Sequence, residues 1–518
     1  MVAKNAILMV LRLVLGDQLN YEHSWLNSPD KNVVYFMCEM HQETNYVKHH
    51  VQKIIAFFDS MRNYAKFLEQ QGHQIIYYKL DHECSKLPLE KILDHVITKN
   101  QITTFEYQYP DEYRLDAQLK NYCDQLGIPS RVYDTEHFYT SRKELTDFFE
   151  GKKQFTMEFF YRYMRKKHQI LMLDAKNPEG GKWNFDGSNR KKWTGKHLIP
   201  PNISFSKNVS EINQLLKIQG IETIGSVNEN QFTWPTNRSE SLKALNYFCE
   251  HLLVHFGDYQ DAMHTDQYYL FHSNLSFAMN TKMLSPQEII ETVISHWRKK
   301  SDKIAISQVE GFVRQIVGWR EYMRGIYWRQ MPNYTSLNKL ENTNSLPSFY
   351  WTGKTKMNCL RSCINQSLQT GYAHHIQRLM VTGNYALLTQ SNPNEVDQWY
   401  LGIYTDAIEW VQLPNTRGMS QYADGGIVAT KPYISSGSYI NKMSNYCKSC
   451  YYKVNDKTGE KACPFNALYW NFLHNKRDFL QNNNRMSMMY RLLDKMDSET
   501  LATHLEKADH IINHPNDY

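Results

Sequence analysis

Cys447 and Cys450 form a C-x2-C pair, Cys463 follows after twelve residues with Pro464 directly behind it, and Cys359 stands far upstream. Four thiolates can close a tetrahedral site around a soft metal, either zinc or an iron–sulfur cluster. A zinc ribbon carries two C-x2-C pairs on two tight knuckles. Here the pairing is two-plus-one with a distant fourth ligand, and a Cys-Pro ending recurs in bacterial ferredoxin runs. Spacing alone leaves a cluster, zinc and ordinary buried cysteines all open.

Other residues could also do chemistry. His374 and His375 are adjacent, with Arg378 on the same helical face as His374. Histidine titrates near neutral pH and suits proton transfer, although two neighbouring histidines on a helix usually mean one packed and one exposed. Trp399-Tyr400 could relay electrons; in a helix such a pair is ordinarily core. Ser273, Leu275 and Ser276 follow His272 and suit either a phosphate or a helix cap. Asp17, in Gly16-Asp17-Gln18-Leu19, is a ligand-facing acid or a turn residue.

The elements that must position these residues change along the chain. Residues 8–15, 33–37, 75–79 and 103–107 read as strands, with helices at 49–71 and 115–126. Alternating strands and helices imply a parallel sheet, and ligands of such sheets bind at the strands' carboxyl ends, where Asp17 sits. This gives an α/β domain over residues 1–139. Residues 140–235 read as a connector lying over the surface, with some helix and with basic stretches at 157–167 and 190–196. Residues 236–518 read as helical. Ser285-Pro286-Gln287-Glu288 is a helix start, and Val309, Phe312, Val313, Ile316, Met323 and Ile326 make an apolar stripe.

The 518 residues, 42% hydrophobic, suffice for two or three cores. Nine cysteines, an odd number without a framework spacing, point to a reducing cytoplasm rather than secretion, and no signal peptide is expected. No apolar run of about 18 residues occurs, so no membrane span is expected. A net charge of +6 permits a polyanionic partner. The 13% aromatic content, with 35 Tyr and 11 Trp, reads first as packing.

Several segments together resemble one family: LGDQL (15–19), FHSNLSFAMNTKMLSP (271–286), EGFVRQIVGWREYMRGIYW (310–328), GYAHHIQRLM (371–380) and the run 397–426. In this order, and with the four cysteines, they resemble the iron–sulfur bacterial cryptochromes and photolyases, the prokaryotic (6-4) photolyase branch. The resemblance spans essentially the whole chain. It implies an α/β antenna domain with a Rossmann-like parallel sheet, a linker, and an all-α C-terminal domain that holds FAD. It further implies a 4Fe–4S cluster on Cys359, Cys447, Cys450 and Cys463.

By the same resemblance, Ser273, Leu275 and Ser276 hold the FAD phosphates and Arg320 contacts the flavin region. Arg378 and Asp406 flank the isoalloxazine, where the cation can stabilise an anionic flavin, and Gln412 faces its reactive nitrogen. His375, assisted by His374, is the implied proton donor, with Tyr433 bordering the pocket. Trp351, Trp399 and Tyr400 form the implied electron relay. Asp17, Cys38, Glu43 and Tyr46 match positions that hold a 6,7-dimethyl-8-ribityllumazine antenna. UV-damaged DNA is the implied partner of a monomeric enzyme, its lesion flipped into the flavin pocket and its phosphates held by the basic stretches at 162–167 and 190–196. The expected function is blue-light repair of (6-4) photoproducts. The alternatives are a cryptochrome-type photoreceptor and a structural nucleic-acid-binding protein with a four-cysteine metal site.

Overall fold

The computed structural model describes residues 8–152 and 155–518. Five parallel strands form one sheet: β1 (Val10–Leu13), β2 (Val33–Cys38), β3 (Gln74–Tyr78), β4 (Thr104–Gln108) and β5 (Ser130–Tyr133), in the order β3-β2-β1-β4-β5. β2 is buried along its whole length, as a central strand covered on both faces is. β1 is shorter than the run at 8–15, because the Leu15 N–H turns to the Gln18 side chain at 3.1 Å. β5 was not expected: Ser130-Arg131-Val132-Tyr133 is short and nowhere fully buried, as suits an edge.

The helix expected at 49–71 is Val51–Gln70. Its N-cap is His50, whose Nδ1 accepts the Gln52 N–H at 3.1 Å. The other ring nitrogen, Nε2, donates to the Leu368 carbonyl at 2.9 Å, fastening this helix to the helical body.

The segment 140–235 is more than a surface strap. Met157–His168 is a helix that buries Phe160, Tyr161, Met164 and Arg165. Gly318 makes room for it: a Cβ there would stand 3.1 Å from Met157 Sδ and 3.2 Å from Tyr161 Cδ2. The Tyr161 hydroxyl donates to buried Glu310 at 2.9 Å. An apolar stripe at helical period decides the packing here, whatever the net charge of the stretch.

Beyond residue 236 the described residues form helices and no named strand. Ser285 caps Pro286–Lys299, accepting the Glu288 N–H at 3.0 Å. Four helical runs pass through π turns, at Phe248–Leu252, Arg314–Arg320, Arg378–Gly383 and Pro414–Ser420. Such turns are rare and concentrate at functional sites; the last three line one cleft. No helix among the described residues is long and apolar enough to cross a membrane.

Candidate functional site

That cleft, in the helical body, is open to solvent and spans about 1910 Å³. Arg378 and Asp406 form its charged wall. Arg378 Nη2 donates to Asp406 Oδ1 at 2.9 Å and to Oδ2 at 3.1 Å, while Nε donates to the Ala373 carbonyl at 2.6 Å. The guanidinium lies 3.8 Å from the Tyr404 ring centre. The Ser276 hydroxyl donates to Asp406 Oδ2 at 2.6 Å, so a residue expected at the phosphates here braces the carboxylate. Ser273 and Leu275 line the cleft beside it. The Leu275 side chain is fully buried, so only its backbone can serve a polar ligand.

Arg320 enters at the end of a π turn, between the rings of Phe138 and Trp410 at 4.9 and 4.7 Å. Its Nη2 reaches Asn280 Oδ1 at 3.3 Å, but Nε and Nη1 are buried without a partner. Burial pushes its pKa down to about 10. Asn274 Oδ1 and Arg314 Nη2, on residues that also line the cleft, are likewise buried and unpartnered. Unpaired buried polar groups are costly, and a polar ligand such as FAD would satisfy this set. Gln412 lines the cleft and donates to the Thr416 hydroxyl.

His374, His375 and Tyr433 share the cleft. His374 is buried and stacked on His272, with ring centres 4.5 Å apart, and neither of its ring nitrogens has a partner. Burial, then the charges of His272, His375 and Arg378, hold its pKa well below the usual value. His375 is exposed through the cleft. Desolvation by the cleft walls and then the Arg378 charge push its pKa down. Burial raises the Tyr433 phenol.

From the cleft, Tyr400 leads to Trp399 with ring centres 5.1 Å apart, and Trp399 to Tyr350 at 5.0 Å. Trp399 Nε1 donates to the Tyr350 carbonyl at 3.0 Å. Trp351, next in the chain, is 41% exposed and stands at the surface end. Tyr350 thus joins the aromatic set, which the sequence reading missed.

A second cavity, about 340 Å³, is lined by Cys359, Cys447, Cys450 and Cys463. Cys359 lies in the first turn of Asn358–Thr370, and Cys463 caps Pro464–Asn475, where a helix N-terminus favours a thiolate. Gly437 is required by proximity: a Cβ there would stand 2.9 Å from Cys463 Sγ. All four cysteines are free of disulfides. Burial first, then neighbouring cysteine charge, raises Cys359 far above the usual thiol range and Cys447 to about 11. A cationic centre among them would favour the thiolate forms. Among the described residues no group of three or more His, Cys, Asp or Glu side chains is placed to hold a metal ion. Cys363, on the same helix as Cys359, instead faces the Tyr446 hydroxyl at 3.6 Å.

The third cavity, about 900 Å³, lies at the carboxyl ends of β1 and β2 and is lined by Asp17, Cys38, Glu43 and Tyr46, with Phe57, Phe58 and Met61 among its apolar walls. Burial pushes the Asp17 carboxyl up against the pull of Lys282. Lys282 Nζ donates to the Asp17 carbonyl at 2.7 Å and to Asp111 at 2.5 Å, tying this loop to the helical body. Glu43 is bidentate with Arg114 at 2.9 and 2.7 Å, and Arg114 lies 4.6 Å from the Tyr46 ring centre. Desolvation raises the Cys38 thiol.

Part of the expected phosphate surface is spent on the fold. Arg165 is fully buried, and its guanidinium donates to the carbonyls of Ile170 at 3.1 Å and Trp183 at 2.8 Å. Arg162 pairs with Glu158 and Lys167 with Glu144. In the second stretch Arg190 pairs with Asp186, which lines the cleft, and Lys191 with Asp258. Basic composition marked these segments without showing which charges were already paired.

Comparison with known proteins now bears on these cavities. Residues 12–232 match the family model of deoxyribodipyrimidine photo-lyase-related proteins. Over 496 residues the chain is 40% identical to the (6-4) photolyase of Agrobacterium fabrum, covering 94% of this chain and 96% of that protein. The chain belongs to the photolyase-related family. Its fold is that of photolyases and cryptochromes. A bacterial class III photolyase from Agrobacterium tumefaciens superposes with a TM-score of 0.56 at 13% identity, covering 100% and 99% of the two chains. A cryptochrome from Synechocystis gives 0.52 at 12% identity, covering 84% and 88%.

Sequence reasoning about this photolyase-related chain passed over Asp261 and Arg314. Both line the large cleft. Burial and then Asp186 raise Asp261 to about 6. Arg314 is set by Glu310 at 3.2 Å and Asp186 at 3.1 Å. The Glu310–Arg314 spacing, one helical turn, was a readable signal; nothing local marked Asp261.

Proposed function

We propose that this protein repairs (6-4) photoproducts in DNA under blue light, with FAD in the large cleft. The observation that carries this reading is the convergence there of the Arg378–Asp406 pair, unpartnered donors on Arg320, and His375 with Tyr433 on the wall. The full-length likeness to a protein named (6-4) photolyase supports it.

When bound, reduced FAD supplies the photoexcited electron that lesion cleavage needs. The chain's own part is electrostatic and protonic. Arg378 places a cation beside the flavin position, where a low-dielectric wall strengthens its attraction for negative charge. Asp406 holds that cation in place and is itself braced by Ser276. His375 handles the proton. The protein's own groups favour its neutral ring, and anionic charge brought in by reduced flavin and DNA phosphate opposes that shift, because a nearby anion favours the protonated form.

We further infer a 4Fe–4S cluster in the cysteine cavity. Cys359, Cys447, Cys450 and Cys463 line one cavity free of disulfides, and their two-plus-one spacing with a Cys-Pro ending is the pattern of iron–sulfur ligation rather than of a zinc ribbon. The cluster's role is structural, joining Cys359 to the 447–463 segment. A ribityl-lumazine is the proposed occupant of the third cavity, where the Asp17 carboxyl can accept ribityl hydroxyl hydrogens.

The test is to illuminate the reduced protein with DNA carrying a (6-4) photoproduct and assay recovery of intact thymines. Light-dependent recovery is expected. No recovery, with FAD and DNA both bound, would overturn the repair reading in favour of a photoreceptor.

A further inference from the structure

Between the flavin cleft and the cysteine cavity lies a buried side-chain junction centred on Gln377. Gln377 Oε1 accepts the His374 N–H at 3.0 Å. Its Nε2 donates to Gln366 Oε1 at 2.7 Å and to the Tyr446 hydroxyl at 3.0 Å, and Gln366 Nε2 returns a bond to Gln377 Oε1 at 3.3 Å. The Tyr446 hydroxyl also receives the Cys363 thiol at 3.6 Å. Gln366, Gln377, Cys363 and Tyr446 are each only 1% exposed.

Each end of this network abuts a site. Tyr446 lines the cysteine cavity and directly precedes Cys447. Asn358, which precedes Cys359, donates to the Tyr446 carbonyl at 2.8 Å. At the other end His374 is the N-cap of His375–Gln377, and Gln377 closes that cap from the third position. The residue after Gln377 is Arg378 of the charged wall.

A buried amide costs free energy unless its groups are matched, and a leucine would fill similar space. Here both ends of the amide are spent, one toward each site. Fully satisfied buried networks fix geometry, since any shift leaves a group unpaired.

We propose that Gln377 is a positioning residue: it sets the His374–His375 turn in the cleft and couples that turn, through Tyr446, to the wall of the cysteine cavity. A disturbance at the cysteine site then reaches the histidines without passing through the flavin. The proposal rests on the repair reading for its activity readout, and on amide exchange for a readout independent of it.

The test uses full-length, FAD-loaded wild type, Gln377→Leu, Tyr446→Phe and the double variant. Tyr446→Phe removes one hydroxyl and is expected to fold. It should keep FAD content, iron content and affinity for lesion DNA, while the repair rate falls about tenfold, as a small misplacement of a reacting group does. Hydrogen exchange at the His374 amide should quicken. Gln377→Leu should lose at least as much, and the double variant no more than Gln377→Leu, because both cut one link. Wild-type repair and wild-type exchange in Tyr446→Phe would overturn the proposal, and so would losses that add in the double variant. If Gln377→Leu does not fold, Tyr446→Phe decides alone. If wild type itself repairs nothing, the repair reading fails, and exchange at His374 still decides the coupling.

Discussion

Arg378 and Asp406 meet through two hydrogen bonds from one guanidinium nitrogen, at 2.9 and 3.1 Å, on the wall of a cleft that neither residue leaves. Their positions are 28 apart in the chain, so the pairing is a product of the fold and belongs to no local motif.

Breaking this pair has a calculable cost. Arg378→Met leaves the Asp406 carboxylate in a mostly buried site without its counter-ion, a change worth about 3–5 kcal/mol. The variant should melt well below wild type in a thermal scan and retain little FAD after gel filtration. Wild-type FAD content would show that the pair does not serve the flavin.

At the cysteine cavity, Gly437→Val puts carbon where Cys463 Sγ already stands 2.9 Å from a Cβ position. Iron should fall from about four per chain to about one or fewer, with loss of soluble protein because cluster and fold form together. Full iron content in soluble Gly437→Val protein would contradict a cluster in this cavity.

Trp399→Phe should stop photoreduction of oxidised FAD, since phenylalanine is far harder to oxidise than tryptophan and Trp399 separates Tyr400 from Tyr350. Repair by chemically reduced protein should persist. Transient absorption distinguishes the two; an unchanged photoreduction rate would route electrons around Trp399.

His375→Ala should keep FAD and lesion-DNA binding and lose at least about a hundredfold in repair, the usual scale for a deleted general acid. If His374→Ala is inactive and His375→Ala is not, the proton role moves to His374, which lines the same cleft.

One share of the acid sensitivity is expected at His50, beside other buried histidines such as His49 and His137. The His50 pKa is lowered to about 4 by burial, against an ordinary 6.5. As pH falls, the unfolded chain therefore takes up the proton first, and stability declines from about pH 6.5 toward pH 4. Protonation at Nδ1 would also set an N–H against the Gln52 N–H that this atom now accepts. His50→Gln should lose less stability than wild type between pH 7.5 and 5, by about 2 kcal/mol in urea melts. Equal pH slopes would place the acid sensitivity elsewhere.

Much of this was legible in the sequence, for identifiable reasons. The strands of the sheet showed as apolar runs, except β5, whose Ser-Arg-Val-Tyr composition reflects an edge. The four cysteines were found by type and spacing, and the structure brings them to one cavity. The cleft residues were found through motif resemblance, because Arg378 and Asp406 acquire meaning only together. What escaped notice was whatever depends on a partner distant in sequence: Arg165 spent on carbonyls, Ser276 spent on Asp406, Tyr350 inserted beside Trp399, and Gln377 reaching Tyr446.

The π turns carry a consequence for how this cleft tolerates change in length. Each holds one residue more per turn than the α-helical ladder around it, so its helix runs one position out of step on either side. Deleting a single residue within Arg314–Arg320 would let the ladder close as regular α-helix, with the helix beyond it in nearly the same phase. A deletion in the regular turns of Glu321–Gln330 would instead rotate the residues beyond it by about 100°, because no extra residue is there to give up. In these helices a one-residue gap is absorbed at a π turn and disturbs the site when it falls outside one.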